Sequence, residues 1–298
     1  MNIRPGTLGL ALSSLHTSAI RQLSIHSSNY LSLITPMNVL VILCGIADPK
    51  WPLPLPLTAS ALREQRASYP LLSPFDEAAL ELALKLRDAD PLTRISVLLA
   101  ASSAQDKLLQ HVASFRIDQL IAYPADLHPA WDSAALAKAF AAQVMGSVTV
   151  ADLVLIGREF GDEDDASVPA AIAQALNWPF VSQTMEVRQG EGAVLQLTRQ
   201  FGPDQELLSQ AAPLVAAVTN HSRNKLRHPL LKNVMMTKKM VFTLTPLPST
   251  DHAALVRLEG LALATPPVSA AQCQMLTGDV ATQARALAQL LLTTGDNE

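Results

Sequence analysis

Hydrophobic and polar positions alternate between two textures from about residue 37 to residue 219. Short, continuously apolar runs read as buried strands: NVLVIL at 38–43, RISVLLAA at 94–101, QLIAY at 119–123, ADLVLIG at 151–157 and PLVAAVT at 213–219. Between them lie stretches with helical spacing: SPFDEAALELALKLRD from Ser73, SAQDKLLQHVASF at 103–115, SAALAKAFAAQVMG at 133–146 and SVPAAIAQALN at 167–177. Strands that are apolar on both faces and alternate with helices predict an α/β fold. Its core is an open, mostly parallel sheet with helices on both faces. Residues 180–212 change to strict alternation with glycine-containing turns, which predicts a β-hairpin. The segment ADPKWPLPLPL at 47–57 predicts an irregular loop. Beyond residue 250 the prolines scatter and the core pattern fades, as in an extended arm, until GDVATQARALAQLLLTTG at 278–295 closes the chain as an amphipathic helix. The organisation expected is an extension at 1–36, an α/β domain at 37–249, and an arm with a terminal helix at 250–298.

The helix beginning at Ser73 has the most explicit start. Ser73 suits the N-cap, Pro74 the first helical position, and Asp76 and Glu77 the positive end of the helix dipole. Phe75, Ala79, Leu82 and Leu86 share one face. A bulky aromatic in the first turn either staples the incoming loop or faces a ligand.

Composition narrows the chemistry. Of 298 residues, 49% are hydrophobic and only 4% aromatic, which favours helices packed on a sheet. A net charge of −4 gives no case for nucleic-acid binding. Cys44 and Cys273 are the two cysteines, far apart and without a second pair to form a metal cage. They read as thiols packed in a reducing compartment. No apolar run is long enough to insert in a membrane. Residues 1–36 contain arginine and many serines but no acid, a composition like that of transit peptides. Met37 also resembles a natural start, so this segment reads as an extension outside the fold. The expected location is a bacterial cytoplasm, or a mitochondrial matrix if the extension is a targeting segment.

In open parallel sheets, ligands bind beyond the carboxyl ends of the strands, where helix N-termini gather. Three segments are expected there: the loop after NVLVILCGI, the SPFDE helix start, and GREFGDEDDASVP at 157–169. They suit a nucleotide held by backbone N–H groups, or else ordinary capped helices beside a solvated acidic loop. No GxGxxG, P-loop or Gly-x-Ser-x-Gly motif occurs, and the seven histidines have no metal-ligand spacing. The segment RNKLRHPLLKNVMMTKK at 223–239 places PLL and VMM among basic residues. It reads as a solvated loop, a phosphate-binding patch or a docking surface for an acidic-rimmed partner, with core packing of its apolar residues equally open.

Taken in order, MNVLVILCGIADP at 37–49, SPFDEAALELALKL from 73, ADLVLIGREFGDEDDASVPAAIAQALNWPFVS from 151 and NKLRHPLLKNVMMTKK from 224 resemble segments of the beta subunit of electron-transfer flavoprotein. The resemblance spans residues 37 to about 292. It implies an adenine-nucleotide-hydrolase-like sheet in a heterodimer with an alpha subunit that holds most of one FAD. It further implies a carrier, not an enzyme, passing electrons from flavin dehydrogenases to a quinone oxidoreductase. The usual donors are the acyl-CoA dehydrogenases of fatty acid oxidation. Phe75 would then lie on the flavin side. Ile42, Ser73, Ala101, Phe160, Glu163, Ala166, Ser167 and Val168 would occupy the positions where the family binds AMP. Leu231, flanked by Lys232 and Asn233, would dock the dehydrogenase.

The sequence departs from that family at several places. Ser73 replaces asparagine, and Phe160 stands where the family has a small residue and could fill the adenine space. Ala166, Ser167 and Val168 replace the usual residues after the aspartates, and Lys225, Leu226, His228 and Lys232 alter the docking segment. AMP binding is therefore open. A redox-inactive nucleotide-binding or scaffolding subunit is the alternative function, with an adenine-nucleotide-dependent enzyme a further one.

Overall fold

In the computed structural model, residues 36–124, 132–147, 150–160, 166–248, 259–263 and 275–294 are described. The chain divides at Met37, with Met1–Pro36 one unit and Met37–Glu298 the other. Of the predicted site positions, Glu163 lies outside the described residues, as do most of the arm at 250–277 and Cys273.

The apolar runs form strands where expected. In chain order the elements are β1 (Asn38–Leu43), β2 (Ile46–Ala47), α1 (Ala59–Ser68), β3 (Pro70–Leu71), α2 (Pro74–Ala89), β4 (Arg94–Ala101), α3 (Lys107–Ala113), β5 (Gln119–Pro124), α4 (Ser133–Met145), β6 (Leu153–Gly157) and α5 (Ser167–Leu176). There follow β7 (Phe180–Gln189), β8 (Val194–Phe201), β9 (Asp204–Ala211), β10 (Leu214–Val218), a 3-10 turn at Ser222–Asn224, α6 (Leu231–Thr237) and α7 (Val280–Thr294). Eight strands form one sheet in the order β5-β4-β1-β6-β10-β7-β8-β9. From β5 to β7 every pairing is parallel; β7–β8 and β8–β9 are antiparallel. The predicted hairpin is thus a three-stranded meander, and its last strand forms the sheet edge.

Burial explains why the parallel strands read as continuous apolar runs. Val39, Val41 and Leu43 of β1 join one apolar layer with α2 and α3, while Leu40 and Ile42 join the opposite layer with α4 and α5. Each strand therefore needs apolar side chains at successive positions.

Two elements, α1 and α2, depart from the sequence reading. The stretch between the proline-rich loop and Ser73 contains helix α1, N-capped by Thr58, whose side chain accepts from the Ala61 N–H. Its polar face gave no apolar periodicity to detect. Helix α5 begins with Ser167 already inside the helix; the cap position is Ala166, held at φ 53°. The predicted single apolar face of α2 is instead a wide band, with Leu80, Glu81 and Leu84 buried as well. The helix is covered by the sheet on one side and by the segment after residue 222 on another.

Candidate functional site

The chain leaves β1 toward β4 and β5 on one side of the sheet, and β6 continues toward β10 and β7 on the other. The carboxyl ends of β1 and β6 therefore flank the point where strand order reverses, the place where open α/β sheets form a ligand crevice.

Helix α2 starts over this point. The Ser73 side chain accepts from the Asp76 N–H at 3.0 Å, and the Asp76 carboxylate reaches back to the Ser73 N–H, closing a capping box. The same carboxylate accepts from the Gly45 N–H at 2.9 Å, which ties the helix start to the end of β1. Asp76 is fully buried, and its Oδ1 has no partner among the described residues. Burial raises its pKa from 3.8 to about 6, against the backbone N–H groups of Gly45, Ser73 and Cys44 and the positive charge of Arg66.

That shift has a defined consequence for stability. The folded chain holds the Asp76 proton more tightly than the unfolded chain does. The resulting stabilisation is complete below about pH 4 and is lost as pH rises through 6. Relative to Asp76→Asn, the wild type should lose about 2 kcal/mol between pH 4 and 6.5. Urea titrations of both proteins across that range measure the difference; parallel curves would contradict it.

Phe75 lies at the end of β6. A Cβ placed on Gly157 would come within 2.9 Å of the Phe75 Cβ, so the two backbones are in direct contact. The Arg158 guanidinium stands 5.3 Å from the centroid of the Phe75 ring and is ion-paired with Glu159. The Arg158 N–H donates to the Val218 carbonyl at the end of β10, at 2.8 Å. Phe75 is half-buried.

On the other side of the reversal point is a cavity of about 460 Å³ at the ends of β1, β4 and β5, bordered by Cys44, Ile46, Arg66, Ala101, Ser102 and Asp106. Arg66 of α1 donates to the carbonyls of Cys44 and Gly45 and lies 2.9 Å from the Cys44 Sγ. Cys44 is buried, as its position in an apolar run suggested.

The predicted AMP positions do not converge on this cavity. Ala101 borders it, whereas Ile42 is buried inside the sheet layer and Ser73 is committed to the helix cap. Phe160 is only 5% exposed and packs edge-on against Phe140, 5.5 Å between centroids, which in turn meets Tyr123. Val168 is buried in the same apolar layer, while Ser167 is half-buried and Ala166 exposed. Phe160 thus joins this region to the core.

The basic segment resolves into two parts. Its first half is bolted to the domain: Arg227 pairs with buried Glu81 at 2.8 Å and with Asp88 at 2.6 Å, and Arg223 pairs with Glu186. Asn224 is buried and donates to the Met185 carbonyl, while Lys85 binds its side-chain oxygen. Both arginines are thus paired with carboxylates of the domain. The second half is α6, from which Leu231 is 76% exposed and Leu230, Met235 and Met236 are exposed beside it. Lys232 is exposed and Asn233 half-buried. These apolar residues do not pack on the core.

Among the described residues no His, Cys, Asp or Glu group is arranged to hold a metal ion, and no helix is long and apolar enough to cross a membrane. The fold is an open α/β one, with a mostly parallel sheet covered by helices on both faces.

The electron transfer flavoprotein domain matches residues 65–247, more than half of the chain, and the chain belongs to that family. Several of its relatives are electron transfer flavoprotein beta subunits. It is 26% identical to the electron transfer flavoprotein subunit beta of Syntrophomonas wolfei over 202 residues, covering 67% of this chain and 76% of the relative. It is 28% identical to the corresponding subunit of Megasphaera elsdenii over 200 residues, 64% and 70% of the two chains. It is also 30% identical over 133 residues to the caffeyl-CoA reductase-Etf complex subunit CarD of Acetobacterium woodii. That match covers 45% of this chain and spans half of CarD's length.

Sequence reasoning placed Phe75 and Leu231 without their surroundings. It missed Gly157 as a contact, Arg158 and Glu159 as a pair, and Arg66 as the link to Cys44. The only available signal was a glycine closing an apolar strand run, followed by an arginine.

Proposed function

We propose that this chain is the beta subunit of a heterodimeric electron carrier that shares one FAD with an alpha-type partner. The observation that carries the reading is half-buried Phe75 at the end of β6, with the Arg158 guanidinium over its ring. An aromatic edge beside a cation suits one side of a planar, electron-accepting ring. The buried Arg158 Nε, unpartnered among the described residues, fits an approaching acceptor atom. The flavin, when bound, supplies the electron-transfer chemistry. This chain's part is to exclude water from one ring edge with Phe75, present charge there, and dock partners. It performs no turnover of its own.

Exposed Leu231 at the start of α6, flanked by Lys232, suits insertion into an apolar pocket on a flavin dehydrogenase with an acidic rim. A quinone oxidoreductase is the acceptor the family reading supplies. AMP has no role in this proposal, because Phe160 and its neighbours fill their own space.

Co-expression with the cognate alpha-type subunit tests the reading, by purification through this chain and recording of the visible spectrum. A yellow heterodimer whose colour bleaches with a reduced acyl-CoA dehydrogenase is expected, with slower bleaching for Leu231→Ala. A colourless heterodimer would favour a scaffolding subunit, and a chain with no partner would sink the proposal.

A further inference from the structure

We infer that Arg158 and Glu159 form an opposed charge pair that sets the reduction potential of the flavin from the beta side. The inference rests on the proposed place of Phe75 at the ring edge.

The backbone fixes where this pair stands. Arg158 follows the last residue of β6, and its N–H is tied to the Val218 carbonyl of β10 at 2.8 Å. Its side chain lies over the Phe75 ring, with its Nη2 donating to Glu159. Neither side chain is fully hydrated: Arg158 is 37% exposed and Glu159 20%. Charges at that depth are screened less than free surface charges. The Arg158 Nε is out of water and has no acceptor among the described residues. Such a donor is costly to leave unmade, so an acceptor on an incoming group gains from meeting it. The oxygen and nitrogen atoms along a flavin ring edge are acceptors of that kind. The pair thus leaves a desolvated donor beside a half-buried aromatic residue.

The electrostatic consequence has a sign. A reduced flavin carries more electron density than an oxidised one, so a nearby cation favours reduction and a nearby anion opposes it. Arg158 and Glu159 therefore act in opposite directions. A pair that merely held Phe75 in place would give no such opposition, since losing either member would loosen the same contact.

The test is an equilibrium reduction of the purified, co-expressed heterodimer, titrated with dithionite beside a reference dye and followed by absorbance. Arg158→Met is expected to lower the equilibrium constant for reduction about tenfold, or about 30 mV for two electrons. Glu159→Gln is expected to raise it by a similar factor, and Arg158→Lys to stay within about threefold of wild type. Unchanged potentials, or shifts of the same sign for both neutralising variants, would overturn the inference while leaving the carrier function standing. If Arg158→Met fails to fold, Glu159→Gln decides alone: a higher potential supports the pair's role and an unchanged one refutes it. A wild-type heterodimer without flavin would overturn the underlying reading and the inference together.

Discussion

A chain ending at Pro248 is expected to keep its eight-stranded sheet and to lose its alpha-type partner. All the strands are complete by Val218. The strap that follows α6 also stays within the shortened chain. Its Phe242 N–H donates to the Ala104 carbonyl at 2.8 Å, its Thr245 N–H donates to the Ala122 carbonyl at 2.7 Å, and Leu247 is buried. What is removed is of a different kind. Helix α7 leaves Val280, Leu287, Leu290, Leu291 and Leu292 exposed. A helix of 15 residues is marginal in water without a surface to pack on, and a row of exposed leucines at helical spacing supplies the face for one. The proposed alpha subunit is that surface. Co-purification of tagged, shortened chain with the partner is the measurement, alongside circular dichroism of the chain alone. Unchanged association would rule out this role for the terminal segment. Loss of the dichroism signal beyond that of one helix would mean that the segment supports the domain itself.

Gly157→Ala is expected to destabilise the domain by about 3 kcal/mol, at the upper end for overpacking. The added Cβ would sit 2.9 Å from the Phe75 Cβ and 3.2 Å from both the Phe75 carbonyl carbon and the Glu159 oxygen. Two of those neighbours belong to the backbone, so no side-chain rotation relieves the overlap. Relief requires the first turn of α2 to move off the end of β6. That displacement strains the Gly45–Asp76 bond and shifts Phe75 away from Arg158, so flavin content of the heterodimer should fall as well. Because the conflict is with Cβ and not with the ring, Phe75→Ala should not rescue it. Gly260→Ala is the control, since nothing lies within 4 Å of a Cβ there. Urea unfolding of the three variants decides the matter: a midpoint for Gly157→Ala equal to that of Gly260→Ala would show that α2 can adjust freely.

Local sequence determined a large part of this molecule. A strand buried on both faces must be apolar at successive positions, and β1, β4, β6 and β10 are recognisable for that reason alone. The start of α2 was equally plain, because Ser73, Pro74 and Asp76 act within one turn of each other. Helix α1 was less visible, since few of its residues are buried and its pattern has little apolar contrast. The meander β7–β8–β9 was recognised as antiparallel but not counted. Its edge strand alternates between exposed and half-buried positions, so turn signals carried most of the information.

Sequence by itself thus determined the class of fold and the order of its main elements, and it singled out Phe75 and Leu231 as candidates. Only the tertiary structure decided what those residues touch. It brought Gly157, Arg158 and Phe75 together from elements some 80 positions apart in the chain. It also spent Arg223 and Arg227 on Glu186, Glu81 and Asp88, leaving the exposed side chains of α6 as the available surface. The reason is one of range. Caps and periodicity arise from neighbours a turn or a pleat away, whereas charge pairing and close backbone approach depend on which strands lie side by side.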